Sequence, residues 1–210
     1  KIVVLDRSSL GEHVSVSPFQ NYGEVVLYSS TVAAEAAERV KDADIIVVNK
    51  TPMNADTLSS ASRVRLICEF ATGFDNIDLD YCRSRGITVV NVRNYSTAVV
   101  AQHTFAMALY LLEKLRYYDD YVKNGVYASQ SSFSHFGMTF GELDGKTWGI
   151  VGMGNIGRKV ASIAQAFGCR VIFYSASGKS TCTDYEQVDF DMLLAQSDVL
   201  SLHCPLSDRT

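Results

Sequence analysis

Three glycines carry the most specific chemical signal in the chain. Gly152, Gly154 and Gly157 form a G-x-G-x-x-G pattern directly after the apolar run TWGIV, at the head of a segment with helical spacing. At such a junction the first glycine permits a tight turn, the second lets a pyrophosphate approach the backbone, and the third lets helix and strand pack closely. The amides and the positive dipole end of the helix then meet the phosphate charge. Glycines alone could serve only the turn; the flanking strand–helix–strand unit makes dinucleotide binding the stronger reading. The next strand, RVIFY, ends at Tyr174, where an acidic residue normally follows to hold the ribose 2′-hydroxyl. Ser175 stands there instead, followed by Ser177 and Lys179, none of which repels a 2′-phosphate. NAD and NADP both remain open as cofactors.

The elements that would position these residues alternate along the chain. The runs KIVVL (1–5), EVVLY (24–28), DIIVVN (44–49), VRLICEF (64–70) and ITVVN (87–91) predict strands, with helices around 31–41 and 78–85. Continuous Val/Ile-rich strands between helices imply a parallel sheet covered on both faces. From Ser96 to about Tyr118, the spacing of Ala101, Phe105, Ala108, Leu112 and Leu115 predicts one long helix, capped by Ser96 or Thr97. A second stripe of Val100, His103, Met107 and Tyr110 predicts burial on more than one side, between domains or between subunits. Residues 124–145 show no periodicity but carry several aromatics, Tyr127, Phe133 and Phe136 among them, and read as a surface crossing or a contact arm. Alternation resumes with TWGIV (147–151), a helix at 155–167, RVIFY (170–174), a helix near 190–196 and DVLSL (198–202). The expected fold is α/β, with two doubly wound parallel-sheet domains at 1–95 and 96–210.

Composition narrows the partners. The 210 residues are 47% hydrophobic and 20% charged, an ordinary globular balance. Nineteen Lys and Arg against 23 Asp and Glu give a net charge of −4 without runs of like charge, which argues against nucleic acid and for a small-molecule partner. Five cysteines (Cys68, Cys82, Cys169, Cys182, Cys204) are odd in number and never in a CxxC pair, so reduced thiols are expected, with neither a disulfide framework nor a metal site. No apolar run reaches membrane-spanning length, and the opening KIVVLDRSSLGE reads as a strand and not as a leader. A soluble, cytoplasmic protein without a membrane partner is the expectation.

Four strings in order resemble the D-isomer-specific 2-hydroxyacid dehydrogenase family of glycerate dehydrogenases, hydroxypyruvate reductases and D-lactate dehydrogenases. They are ICEFATGFDNIDLDYCRSRGITVVNV, NYSTAVVAQHTFAMALYLL, LDGKTWGIVGMGNIGRKVA and SDVLSLHCPLSDRT, and the likeness runs from about residue 44 to 210. The resemblance implies a flavodoxin-like substrate domain and an incomplete Rossmann dinucleotide-binding domain. It implies hydride transfer between a nicotinamide cofactor, NAD or NADP, and a small 2-hydroxy or 2-oxo acid. By the same likeness Asn155 and Ile156 meet the pyrophosphate, Ser175 the adenosine ribose, and Thr104 the phosphates on the nicotinamide side. Cys204, Pro205 and Thr210 line the cofactor beyond the third strand. Thr72 and Gly73 match a loop whose amides receive the substrate carboxylate, and Lys50 is a candidate beside it. The family's catalytic Arg, Glu and His match nothing here: His103 and His203 fall in strings where they look structural, and His13 and His135 match no catalytic segment. Only three strands are read after the long helix, against six in a complete dinucleotide sheet. At ~30 residues per unit, on the order of 100 residues are expected beyond Thr210, the catalytic set among them. A homodimer through the long helix and 124–145 is also expected. Two alternatives share the glycine signal: a dinucleotide-sensing scaffold of the corepressor kind, and a methyltransferase holding another adenosine ligand.

Overall fold

The computed structural model describes residues 1–206 and Thr210, and divides into two compact units, Lys1–Asn94 and Tyr95–Thr210. Both are α/β with wholly parallel sheets.

The first unit holds strands β1 (Ile2–Val4), β2 (Val25–Leu27), β3 (Ile45–Val48), β4 (Leu66–Glu69) and β5 (Thr88–Asn91), in the order β2-β1-β3-β4-β5. This is the flavodoxin-type order. Helices α1 (Ala33–Val40), α2 (Ala55–Leu58) and α3 (Leu79–Ser84) connect them. Because strand side chains alternate between faces, Val3, Leu5, Ile46 and Val48 join one core cluster while Ile2, Val4 and Val47 join another. The central strands β1 and β3 are therefore apolar throughout, as a sheet covered on both faces requires. The short helices are capped by side chains: Asn54 Oδ1 accepts from the Thr57 amide at 3.2 Å, and Asp78 Oδ1 from the Tyr81 amide at 2.8 Å.

The second unit begins with helices α4 (Thr97–Leu112), α5 (Leu115–Lys123) and α6 (Val126–Ser129). Then follow β6 (Thr147–Val151), α7 (Asn155–Ala166), β7 (Arg170–Tyr174), β8 (Glu186–Gln187), α8 (Phe190–Gln196) and β9 (Val199–Leu202), with sheet order β8-β7-β6-β9. Fully buried Trp148 organises the core. Its ring stacks on Phe105 of α4 at 4.5 Å, and its indole N–H donates to Ser201 Oγ of β9 at 2.9 Å, satisfying a polar atom that burial would otherwise penalise.

Three sequence expectations need correction. The single helix from Ser96 to Tyr118 is two: α4 ends at Leu112, and Lys114 takes a left-handed φ of 53° before α5 begins. No Gly or Pro marks the break. It lets the tyrosines of α5 gather on His135, whose ring lies 3.8 Å from that of Tyr121 and whose Nε2 is 2.7 Å from the Tyr117 hydroxyl. Second, four strands follow the long helix, not three; β8 is only two polar residues long and is recruited by its pairing with Ile172 and Phe173. Third, the stretch 124–145 is not wholly irregular, because α6 lies in it. Ser96 does sit at the cap position of α4, but its side chain makes no capping bond. Of α4, Ala101 and Phe105 are buried, whereas Val99, Met107, Tyr110 and Leu111 are exposed. No helix among the described residues is long and apolar enough to cross a membrane.

Candidate functional site

In the second unit the carboxyl ends of β6, β7 and β9 converge, where parallel α/β sheets place their ligand sites. The Gly152 amide donates to Tyr174 O at 2.9 Å and the His203 amide to Val151 O at 2.8 Å, so the chain segments leaving all three strands are tied together. Around them lies a cavity of about 490 Å³ whose lining includes Gly152, Gly154, Ser175, Lys179, His203 and Cys204.

Each glycine of the pattern has its own geometric reason. Gly152 has φ +94°, and a Cβ there would stand 2.8 Å from His203 O. On Gly157 a Cβ would stand 2.1 Å from Gly152 O, so only glycine lets α7 rise this close to the turn. Gly154 is different: nothing lies within 4 Å of its would-be Cβ, so its bare backbone faces open space. Ile156 and Gly157 follow in the first turn of α7, where amides have no carbonyl one turn back. An open backbone next to a helix N-terminus fits a pyrophosphate. The far end of the cavity is a turn closed by the Gly178 amide on Ser175 O at 3.0 Å. Ser175 and Ser177 hydroxyls are 3.4 Å apart there, and the Lys179 side chain is exposed.

The cavity thus brings together Gly152, Gly154, Ser175, Cys204, Pro205 and Thr210 from the sequence-derived set. Asn155 and Ile156 belong to the adjoining turn of α7, while Gly157 is buried against the turn below. Thr104 does not line the cavity. Its hydroxyl donates to Val100 O at 2.9 Å, the local bond available to any helical threonine. His203, read as structural from the sequence, lines the cavity, and its buried Nε2 has no partner among the described residues. Burial lowers its pKa, keeping the imidazole neutral. Its signal was the string LHCP directly after an apolar strand.

In the first unit the carboxyl ends of β1, β3 and β4 carry a polar network. Asp6 is buried, and its Oδ2 accepts from the amides of Asn49, Lys50 and Thr51 at 2.9, 2.9 and 3.1 Å, while Oδ1 accepts from Thr51 Oγ1 at 2.9 Å. Burial alone raises its pKa, but these bonds outweigh burial and hold the carboxyl below its usual range. At the end of β4, Glu69 is 1% exposed. Its Oε2 accepts from Asn76 Nδ2 at 3.2 Å, and Oε1 has no partner among the described residues. Desolvation dominates and raises its pKa from 4.5 to about 7, with Asp6 and Asp75 adding to the rise and Asn76 and Lys50 opposing it. The sequence reading missed both acids; a carboxylate ending an apolar strand run was the available sign. Thr72 and Gly73 lie in the exposed loop after β4, anchored by Thr72 Oγ1 on Val92 O at 2.9 Å and by Asn91 Nδ2 on Thr72 O at 2.7 Å. Among the described residues, no carbonyl accepts from the amides of Thr72 and Gly73. Lys50 is exposed at the end of β3, held through its backbone amide.

Comparison with known proteins gives this geometry a family. The model of the NAD binding domain of D-isomer specific 2-hydroxyacid dehydrogenases matches residues 105–210. The chain belongs to the D-isomer-specific 2-hydroxyacid dehydrogenase family. It is 35% identical, over its whole length, to a hydroxypyruvate reductase of Blautia hydrogenotrophica, of which it covers 67%. A D-lactate dehydrogenase of Aquifex aeolicus, solved with NAD and lactic acid, superposes with a TM-score of 0.83 at 32% identity, covering 99% of this chain and 61% of that one. An acyclic imino acid reductase solved with NADPH and D-Arg superposes at 0.86 with 28% identity, covering 100% and 67%. The chain spans about two thirds of the length of the curated relatives it matches. These family members are reductases and dehydrogenases by name, which favours an enzyme over a sensing scaffold.

Glu69 makes stability depend on pH with a definite sign. Its pKa is raised in the folded state, so the neutral form stabilises the fold. That contribution is complete below about pH 4.5 and is lost as pH rises through about 7, at ~1.4 kcal/mol per unit and ~3 kcal/mol at most. Glu69→Gln, isosteric and never charged, should therefore hold more of its unfolding free energy than the parent between about pH 5 and pH 8, by roughly 2–3 kcal/mol. Urea unfolding across that range measures it, and parallel curves for parent and variant would mean that Glu69 is ionised throughout.

Proposed function

We propose that the chain contributes the cofactor site and the substrate-carboxylate loop of an NAD- or NADP-dependent oxidoreductase. The reaction is hydride transfer between a nicotinamide and a small 2-hydroxy or 2-oxo acid. The observation that carries this reading is the Gly152–Gly157 turn, open at Gly154 and closed at Gly157, at the mouth of the cavity. When bound, a nicotinamide supplies the hydride. The chain's own part is to hold and orient: the first turn of α7 takes the pyrophosphate, Ser175 the adenosine ribose, and His203, Cys204 and Pro205 wall the cavity beyond β9. Thr72 and Gly73 offer amides to the carboxylate of the acid. The acid–base group is assigned to no residue of this chain. Family membership, and an ordinary composition without a basic patch, support a soluble cytoplasmic enzyme whose partner is a small acid.

Gly154→Val tests the core of this reading. Its backbone angles, φ −81° and ψ −162°, are open to valine and its Cβ meets nothing, so the fold should keep its melting temperature. The branched side chain occupies the approach of the pyrophosphate, and affinity for NADH and NADPH should fall by roughly 100-fold or more, ~2.7 kcal/mol. Fluorescence titration reads it; unchanged affinity for both would remove the site from this turn.

Cofactor choice is assigned to the Ser175 turn. Without a carboxylate there, nothing repels a 2′-phosphate, and Lys179 stands on the same turn, so discrimination should be weak or lean toward NADP. Ser175→Asp should shift the ratio of NADPH to NADH dissociation constants by about ten-fold toward NADH, equivalent to ~1.4 kcal/mol in a partly wet site. A ratio that does not move would put the ribose elsewhere.

We also propose a homodimer. Phe133 and Phe136 are 92% and 96% exposed, and α4 leaves Met107, Tyr110 and Leu111 uncovered, an apolar surface of the kind that marks an interface. Sedimentation should give twice the monomer mass at tens of micromolar; a monomer there would reject it.

A further inference from the structure

A carboxylate role for the amides of Thr72 and Gly73 gives no function to the buried acid that precedes their loop. Glu69 ends β4, and the loop that carries both amides starts two residues later and ends at Asn76. Asn76 ties three segments together. Its Nδ2 donates to Glu69 Oε2 at 3.2 Å and to Thr51 O at 3.2 Å, and its carbonyl accepts from the Met53 amide at 2.8 Å. The loop is therefore fixed at its far end to β4 through Glu69, and to the segment after β3 through Thr51 and Met53. Its near end is fixed by Ala71 O, which accepts from the Val92 amide at 3.1 Å. A carboxylate oxygen buried without a donor, as Glu69 Oε1 is, is costly when charged and much less so when the group carries its proton.

We propose that Glu69 is a positioning residue: it holds the loop of residues 71–76 from beneath through Asn76, so that the Thr72 and Gly73 amides stand ready for an anionic carboxylate. This rests on the reading of that loop as the substrate-carboxylate site. Two consequences follow from charge. A neutral Glu69 leaves the loop free to accept an anion, whereas an ionised Glu69 sets a buried negative charge under it. Anion binding and protonation of Glu69 are then linked: each favours the other. The charged groups around Glu69 are Asp6 after β1, Lys50 after β3 and Asp75 on the loop itself. Both acids favour the protonated form, and Lys50 opposes it from an exposed position where water screens its charge. With the proton leaving near pH 7, the affinity for a carboxylate anion should weaken by about ten-fold between pH 6 and pH 8.

The test uses the whole chain, labelled with ¹⁵N, with oxalate as the probe, because oxalate presents a carboxylate beside a second carbonyl carbon, as a 2-oxo acid does, and stays ionised over this range. Without ligand, the amide resonances of Thr72 and Gly73 should titrate with a midpoint near 7 and lose that titration in Glu69→Gln. In Asn76→Ala, which cuts the link but keeps the acid, they should titrate weakly or not at all. The oxalate dissociation constant, read from the same amides, should rise about ten-fold from pH 6 to pH 8 in the parent and stay flat in Glu69→Gln. Amides that do not titrate in the parent, or titrate unchanged in Glu69→Gln, overturn the proposal. Oxalate bound with a pH-independent constant also overturns it, while leaving the carboxylate role of the loop intact. Amides that follow Glu69 but never respond to oxalate leave the positioning in place and remove the carboxylate role from Thr72 and Gly73.

Discussion

A single close approach governs the second unit. The carbonyl of Gly152 lies where the Cβ of any other residue at position 157 would be, 2.1 Å away. That contact sets how near the start of α7 comes to the end of β6, and hence where its first-turn amides point. Everything else about the cavity is hung from it. Gly152 itself takes φ +94° because the chain must turn within one residue, under the carbonyl of His203. The packing that steadies this turn lies one layer down, where Val160, Ala161 and Ala164 of α7 bury against Ile150 and Trp148 of β6. Two alanines on the buried face keep the helix low on the sheet, so the glycine contact is not relieved by helix and strand moving apart.

Trp148 extends the same constraint outward. It is the bulkiest fully buried side chain, and its indole N–H is satisfied by Ser201 on β9. That bond holds β9 in register beside β6, which carries His203 and Cys204 past the strand end into the cavity wall. Phe105, stacked on the indole, ties α4 to the same point. Cavity shape is thus a result of core packing in β6 and its neighbours, and only its lining is chemistry.

What the sequence disclosed and what it hid divide along physical lines. Strands buried on both faces are legible because nearly every residue in them is apolar, and KIVVL, DIIVVN and RVIFY each become a strand within a residue or two of the expected ends. The glycine turn was legible because backbone sterics demand glycine. By contrast, β8 is invisible to any pattern: Glu186 and Gln187 are exposed and polar, and they are extended only because β7 offers an edge to pair with. The break at Lys114 is similarly silent, since its left-handed turn is imposed by where the α5 tyrosines meet His135, far along the chain. Thr104 is a residue whose type fits a ligand role and whose hydroxyl donates to Val100 O of its own helix, a bond that its sequence neighbours do not announce. Asp6 and Glu69 each follow an apolar strand run, the one local sign available, but the partners that bury them, Asn49 to Thr51 and Asn76, come from other loops.

Those two acids show how the carboxyl end of one sheet lowers the pKa of one carboxyl and raises that of another. Both are nearly inaccessible, so desolvation pushes both upward, and the supply of donors decides the outcome. Asp6 receives three amides and a hydroxyl, because the chain after β3 curls over it with successive N–H groups pointing inward. Glu69 receives one side-chain amide hydrogen, and the second hydrogen of the same group is spent on Thr51 O. Thr51 therefore belongs to both systems, giving its amide and hydroxyl to Asp6 and its carbonyl to Asn76. The loops after β3 and β4 form one hydrogen-bonded strip in which a full charge is already present at Asp6. A second full charge at Glu69 would sit in the same poorly solvated strip with a single donor, Asn76 Nδ2, and Lys50, the cation that opposes the rise, is exposed to solvent. Neutrality at Glu69 is thus the electrostatic counterpart of the ionised Asp6. It also leaves the strip with one buried negative charge instead of two.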